Sequence, residues 1–140
     1  MRRIAEALGF EQKTEYQLIK KDDFAIGKGG EVDFVWLKKI PLVEQPVPVV
    51  GFEIETSGRA SKHLKGDVYN LFCLHSALGV VLFIKEGFAD SKLEGAKAAV
   101  KRYSELLFRN ARILTWTDED VEKIDAEKLE QEMSSSNKNT

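Results

Sequence analysis

The chain has one cysteine, three prolines and two histidines in 140 residues. A lone cysteine cannot form an internal disulfide, so a reducing cytoplasm is the expected location. Cys73 lies between Phe72 and Leu74 in a helical stretch and reads as a packed thiol, not a nucleophile. His63 and His75 are not spaced like a zinc pair, and there is no second cysteine to join them. His63 reads as a surface residue and His75 as a core or boundary one. No apolar run approaches the about 20 residues of a membrane span, and Met1-Arg2-Arg3-Ile4-Ala5-Glu6 is too polar for a secretory signal. A membrane is therefore not an expected partner. An excess of positive charge is lacking too: 21 Lys and Arg stand against 23 Asp and Glu, a net charge of -2. That balance excludes a strongly basic coat protein but not a local patch for nucleic acid. Gly27-Lys28-Gly29-Gly30 lacks the Lys-Ser/Thr ending of a phosphate-binding loop and precedes a strand, so it reads as a turn.

What is present suits one globular domain. Hydrophobic residues make up 43% and charged residues 31%, ordinary values for a chain long enough to bury a core. Residues 1–133 form the expected domain, and the polar segment Ser134–Thr140 is an expected disordered tail.

The pattern predicts a short helix from Arg2 to Gly9, with glycine placed to end it. Strands are predicted at Glu15–Lys21, Glu31–Lys39 and Val49–Glu55, close enough for antiparallel pairing. In the second, Val32, Phe34 and Trp36 alternate with Asp33, Val35 and Leu37. Pro41, Pro46 and Pro48 mark a loop or edge before the third. A helix is predicted from Ser61, a candidate N-cap, to Leu78, with Leu64, Val68, Leu71, His75 and Leu78 on one stripe and Gly79 as the stop. Val80–Ile84 is a continuous apolar run, as in a strand buried on both faces. A helix over Ser91–Asn110, a strand over Arg112–Thr117 and a charged helix to Met133 follow, the last opened by a capping box of Thr117 and Asp120. Lys97, Lys101, Arg102, Arg109 and Arg112 read as the wet side of a helix. The expected architecture is α/β: a mixed central sheet with an antiparallel meander, then parallel crossovers, and helices on both faces.

Glu53 and Glu55 carry the chemistry. They follow Pro48-Val49-Val50-Gly51-Phe52 and, two residues apart on a strand, point to one face. Like charges so placed repel, and burying them is costly. Either that face is wet or a cation lies between them, and hard oxygen donors favour a divalent metal ion. Asp33, on the neighbouring strand of a meander, approaches the pair across the ladder. Three carboxylates of this kind suit Mg2+ or Mn2+ with water in the remaining positions, a site for phosphodiester hydrolysis.

An acid on one strand, a proline-containing excursion, Glu-x-Glu on the next strand and then a helix resembles the PD-(D/E)XK nuclease superfamily, the fold of type II restriction endonucleases and archaeal Holliday-junction resolvases. The resemblance spans about Arg2 to Ile84 and implies a restriction endonuclease-like core. Asp33 would match the first metal-binding acid and Glu53 the second. Glu55 stands where the family usually has the lysine that positions or deprotonates the attacking water. Lys65 on the following helix is the expected substitute. Arg59, Ser61 and Lys62 would contact the nucleic-acid backbone, and Glu6 is the candidate for an acid from the first helix. The implied activity is Mg2+- or Mn2+-dependent endonucleolytic cleavage of nucleic acid, expected to be DNA, by a homodimer or within a larger nuclease assembly. The alternative is a catalytically inactive nuclease-fold module that binds nucleic acid or a partner protein.

Overall fold

A computed structural model describes residues 1–18, 30–57, 61–107 and 112–124. Five strands form one mixed sheet in the order β1-β2-β3-β4-β5. Strands β1 (Glu11–Gln17), β2 (Glu31–Lys38) and β3 (Val47–Glu55) make an antiparallel meander. Helix α2 (Ser61–Leu74) then carries the chain to β4 (Leu78–Phe83), parallel to β3, and helix α3 (Asp90–Leu107) carries it to β5 (Ile113–Thr117), parallel to β4. The expected α/β meander followed by parallel crossovers is thus observed. Among the described residues no helix is long and apolar enough to cross a membrane.

Two apolar clusters hold the layers together. On one face Val35, Leu37, Val81 and Phe83 of the sheet pack against Leu64, Val68 and Leu71 of α2 and Leu93 and Val100 of α3. On the other, Phe34, Trp36 and Phe52 pack with Ala5 and Ile4 of α1 (Arg2–Ala7). The rings of Phe34 and Phe52 stack with centroids 4.4 Å apart. Helices therefore lie on both faces. The β4 residues from Gly79 to Phe83 are all buried, as expected of the apolar run.

Several boundaries differ from the sequence reading. The first strand begins and ends four residues earlier than expected. It is an edge strand of mostly exposed polar residues, so no alternation marks it. Pro48 lies inside β3, opposite Leu37, where a register shift between Trp36 and Leu37 accommodates a residue with no N–H. Helix α2 stops at Leu74, not Leu78, because His75 takes a left-handed φ of 54°. His75 is exposed and outside the core stripe, while Leu78 opens β4. Gly79 is a strand residue whose Cβ would lie 3.2 Å from Leu71 Cβ, so close helix–sheet packing is its role. Gly9 does end α1, at φ 78°, with Phe10 N–H donating to Ala5 O at 2.8 Å. The capping box is observed as well: Thr117 and Asp120 open α4 (Asp118–Glu122). That helix ends at Glu122, with Lys123 as its C-cap, so it is a single turn and does not run on unbroken to Met133 as expected. Residues 125–140, the tail among them, and Gly27-Lys28-Gly29 lie outside the described residues.

Candidate metal centre

The acids gather where β2 and β3 part. Pairing of β2 with β3 reaches Phe34 opposite Phe52 and goes no further. On the other side, the β1–β2 register passes over Asp33 and Glu15, and Glu15 has a left-handed φ of 51°. The break changes the faces of β2. Val32 packs with Val35 and Leu37 against α2, not with Phe34 and Trp36 as strict alternation predicts. Beyond the break, side chains supply the cross-strand hydrogen bonds. Asp33 Oδ2 accepts from Ile54 N at 2.6 Å, and Glu53 Oε2 accepts from Asp33 N at 3.4 Å. The expected approach of Asp33 to the glutamate strand is therefore observed.

Glu53 and Glu55 both turn toward α2. Glu53 is only 4% exposed. Its Oε1 accepts from Asn70 Nδ2 at 3.2 Å, and the same nitrogen donates to Glu31 O at 3.2 Å. Burial first, and then the charge of Asp33, push the Glu53 carboxyl from 4.5 up to about 8. Glu55 pairs with Asp67 of α2. Two ionised carboxylates repel, so that pairing needs a shared proton or a cation. Asp67 shows the same demand twice. Its Oδ2 is buried with no hydrogen-bond partner. Its carboxyl is pushed from 3.8 up to about 9, by burial first and then by Glu55, Glu53 and Asp33. Asp67 is the residue that the sequence reading passed over. Its signal was its spacing: three residues before Asn70 and beside the Leu64–Val68–Leu71 stripe, on the flank of α2 that meets the sheet.

The other expected site residues stand differently. Lys65 is exposed, two residues from Asp67 and therefore roughly 160° around the helix from it. It does not share the face of the acids. Glu6 is exposed on α1, against the opposite face of the sheet, and does not join them. Ser61 and Lys62 open α2, but their side chains are outside the description, and Arg59 is wholly outside it. His63 is exposed, as expected. Lys97 lies 3.8 Å from Glu94, Lys101, Arg102 and Arg112 are exposed, and Arg109 lies outside the described residues.

Among the described residues, no three Asp, Glu, His or Cys side chains are placed to share one ion as they stand. The donor chemistry nevertheless fits a hard divalent cation: only carboxylate oxygens, closely packed, with one buried oxygen lacking a donor. A proton or a cation would relieve the same repulsion. No family model, no curated protein and no solved structure matches this chain.

Proposed function

We propose that this protein is a metal-dependent nuclease, hydrolysing phosphodiester bonds of nucleic acid, with DNA as the expected substrate. The observation that carries the reading is the buried Glu53, flanked by Asp33 on the adjoining strand and close to the Glu55–Asp67 pair, in which one oxygen has no partner. The element order also supports it. A helix, a three-stranded meander, a crossover helix and a parallel strand follow the order of the restriction endonuclease-like core that the sequence resembles. Asp33, Glu53 and Glu55 would hold Mg2+ or Mn2+, with Asp67 beside them. When bound, the ion supplies an activated water and neutralises charge on a phosphoryl oxygen.

The chain's own groups set the frame for that chemistry. Asn70 and the Asp33 backbone each hold one oxygen of Glu53, so its carboxylate is oriented before any ligand arrives. The Asp33 carboxylate is tethered to Ile54 N, between the two glutamates. Asp67, beside the proposed ligands, would be the group to accept a proton from water once a cation has displaced the proton that burial holds on it. Lys65, exposed and turned from the acids, is not assigned that step. Arg59, Ser61 and Lys62, at and before the start of α2, are assigned to backbone phosphates. Two such sites in a symmetric homodimer would cut both strands.

The test is cleavage of a supercoiled plasmid and of a four-way junction with Mg2+. Cleavage by the wild-type chain and none by Glu53→Ala is expected, and equal cleavage by both removes the assignment. One observation favours a second reading, a nuclease-fold module that binds nucleic acid or a partner protein without hydrolysis: Glu55 stands where the resembled family carries its lysine, and Lys65 does not turn to the acids in its place. Nucleic-acid or protein binding by an intact chain that cleaves nothing would select it.

A further inference from the structure

We propose that Asn70 is a positioning residue for Glu53. Its side-chain amide ties the buried carboxylate to the first residue of β2 and would set the orientation in which Glu53 meets a cation. The inference rests on the metal-dependent reading above and adds to it a residue from outside the acid motif.

The geometry is economical in donors. An amide nitrogen carries two hydrogens, and Asn70 Nδ2 meets two acceptors, Glu31 O and Glu53 Oε1, each at 3.2 Å. Turning the amide over would set Oδ1 against both acceptors, so its orientation is determined by the network. Glu53 Oε2 is held independently by Asp33 N. Both oxygens of the carboxylate are thus fixed, one by α2 and one by β2, and the carboxylate cannot rotate without breaking a hydrogen bond. Gly30 completes the arrangement. A Cβ there would lie 2.7 Å from Asn70 Oδ1 and 3.0 Å from Leu18 Cδ1, so the absence of a side chain at residue 30 gives the amide its place. The nature of the residue matters as much as its reach. Asparagine donates without adding charge to a site already crowded with acids. Aspartate, of the same shape, would present an acceptor to two acceptors.

A residue that only closed the end of β2 would affect stability and leave Glu53 alone. A positioning residue changes the carboxylate itself and its affinity for metal. Two readouts on the full chain separate these roles. The first is the 13C spectrum of carboxyl-labelled glutamate, with the Glu53 signal identified from Glu53→Gln. The second is calorimetric titration with Mn2+ alone. Asn70→Ala is expected to move the Glu53 signal and to weaken Mn2+ binding by about 10–100-fold, the usual effect of losing a partner that orients a ligand. Asn70→Asp should weaken it at least as much. Gly30→Ala, which leaves every acid and Asn70 in place, should give a smaller change of the same sign and serves if the Asn70 variants fail to fold. An unmoved Glu53 signal in a folded Asn70→Ala chain overturns the proposal. So does unchanged Mn2+ affinity when the wild-type chain binds the ion. A wild-type chain that binds no Mn2+ overturns the nuclease reading first, and the assigned role of Asn70 with it.

Discussion

Glu53 is the residue on which stability and the proposed function meet. Its carboxyl is pushed from 4.5 up to about 8, and that of Asp67 from 3.8 up to about 9. The sign follows from proton counting. In the unfolded chain both groups release their protons near their ordinary values, whereas the folded chain retains them to higher pH. Between those limits the native state binds more protons, so stability falls as pH rises, by about 1.4 kcal/mol per pH unit for each extra proton. The contribution is fully present below about pH 4 and is lost as pH passes through 8 to 9. The prediction is that the metal-free chain loses stability from pH 5 to pH 8 in urea titrations. Glu53→Gln, which has no carboxyl to titrate at that position, should reduce the slope by about one proton. An unaltered slope in the variant would show that Glu53 is not the group responsible. In sequence, Glu53 and Asp33 were legible because acids are conspicuous on apolar strands. Asp67 was not, because a single acid in a helix that also carries Lys62 and Lys65 looks like ordinary surface charge. Only folding shows that it lies on the buried flank, and that Lys65 does not.

Among the elements, alternation and punctuation were readable where they follow from local physics. Strands β2 and β5 are found within one residue of their expected limits, and β3 within two. The box at Thr117 is also found, with Asp120 N donating to its Oγ1 at 3.3 Å. What failed depended on partners distant in sequence. The left-handed turn at His75 and the strand role of Gly79 come from packing of α2 on the sheet, which no local pattern encodes. The face change at Val32 comes from the break opposite Glu15. Gly87 also packs against a distant segment, at the end of the 3-10 turn Lys85–Gly87 after β4. A Cβ there would fall 1.8 Å from Thr56 O, a backbone atom next to Glu55. Gly87→Ala should therefore cost about 3 kcal/mol or more, because the backbone that follows the site must shift. Gly95→Ala, in the exposed face of α3 with nothing within 4 Å of the new Cβ, should instead stabilise by about 0.5–1 kcal/mol. Denaturant midpoints check the pair, and an unchanged or raised midpoint in Gly87→Ala would contradict the packing assigned to Gly87.

At the scale of the molecule, the sheet changes character at β3, which pairs antiparallel with β2 and parallel with β4. The antiparallel ladder ends just where the parallel one continues, through Glu53 opposite Val81 to Glu55 opposite Phe83. The acids gather where β2 leaves β3, on the side of the crossover helix. Ligand sites at the carboxyl ends of parallel strands follow the same logic, because there the chain leaves the sheet and opens a cleft. The order of elements that makes this junction could be read from the chain. The side of α2 that faces it, with Asp67 and Asn70, could not. Under the proposed function, this group of acids exchanges protons for a divalent cation. Titration of the metal-free chain with Mn2+ at pH 7, in two buffers of different ionisation enthalpy, measures both partners in that exchange. Saturable binding with release of about one proton per ion, abolished in Glu53→Ala, is the predicted result. Absence of binding, or binding that releases no proton and survives Glu53→Ala, would contradict it.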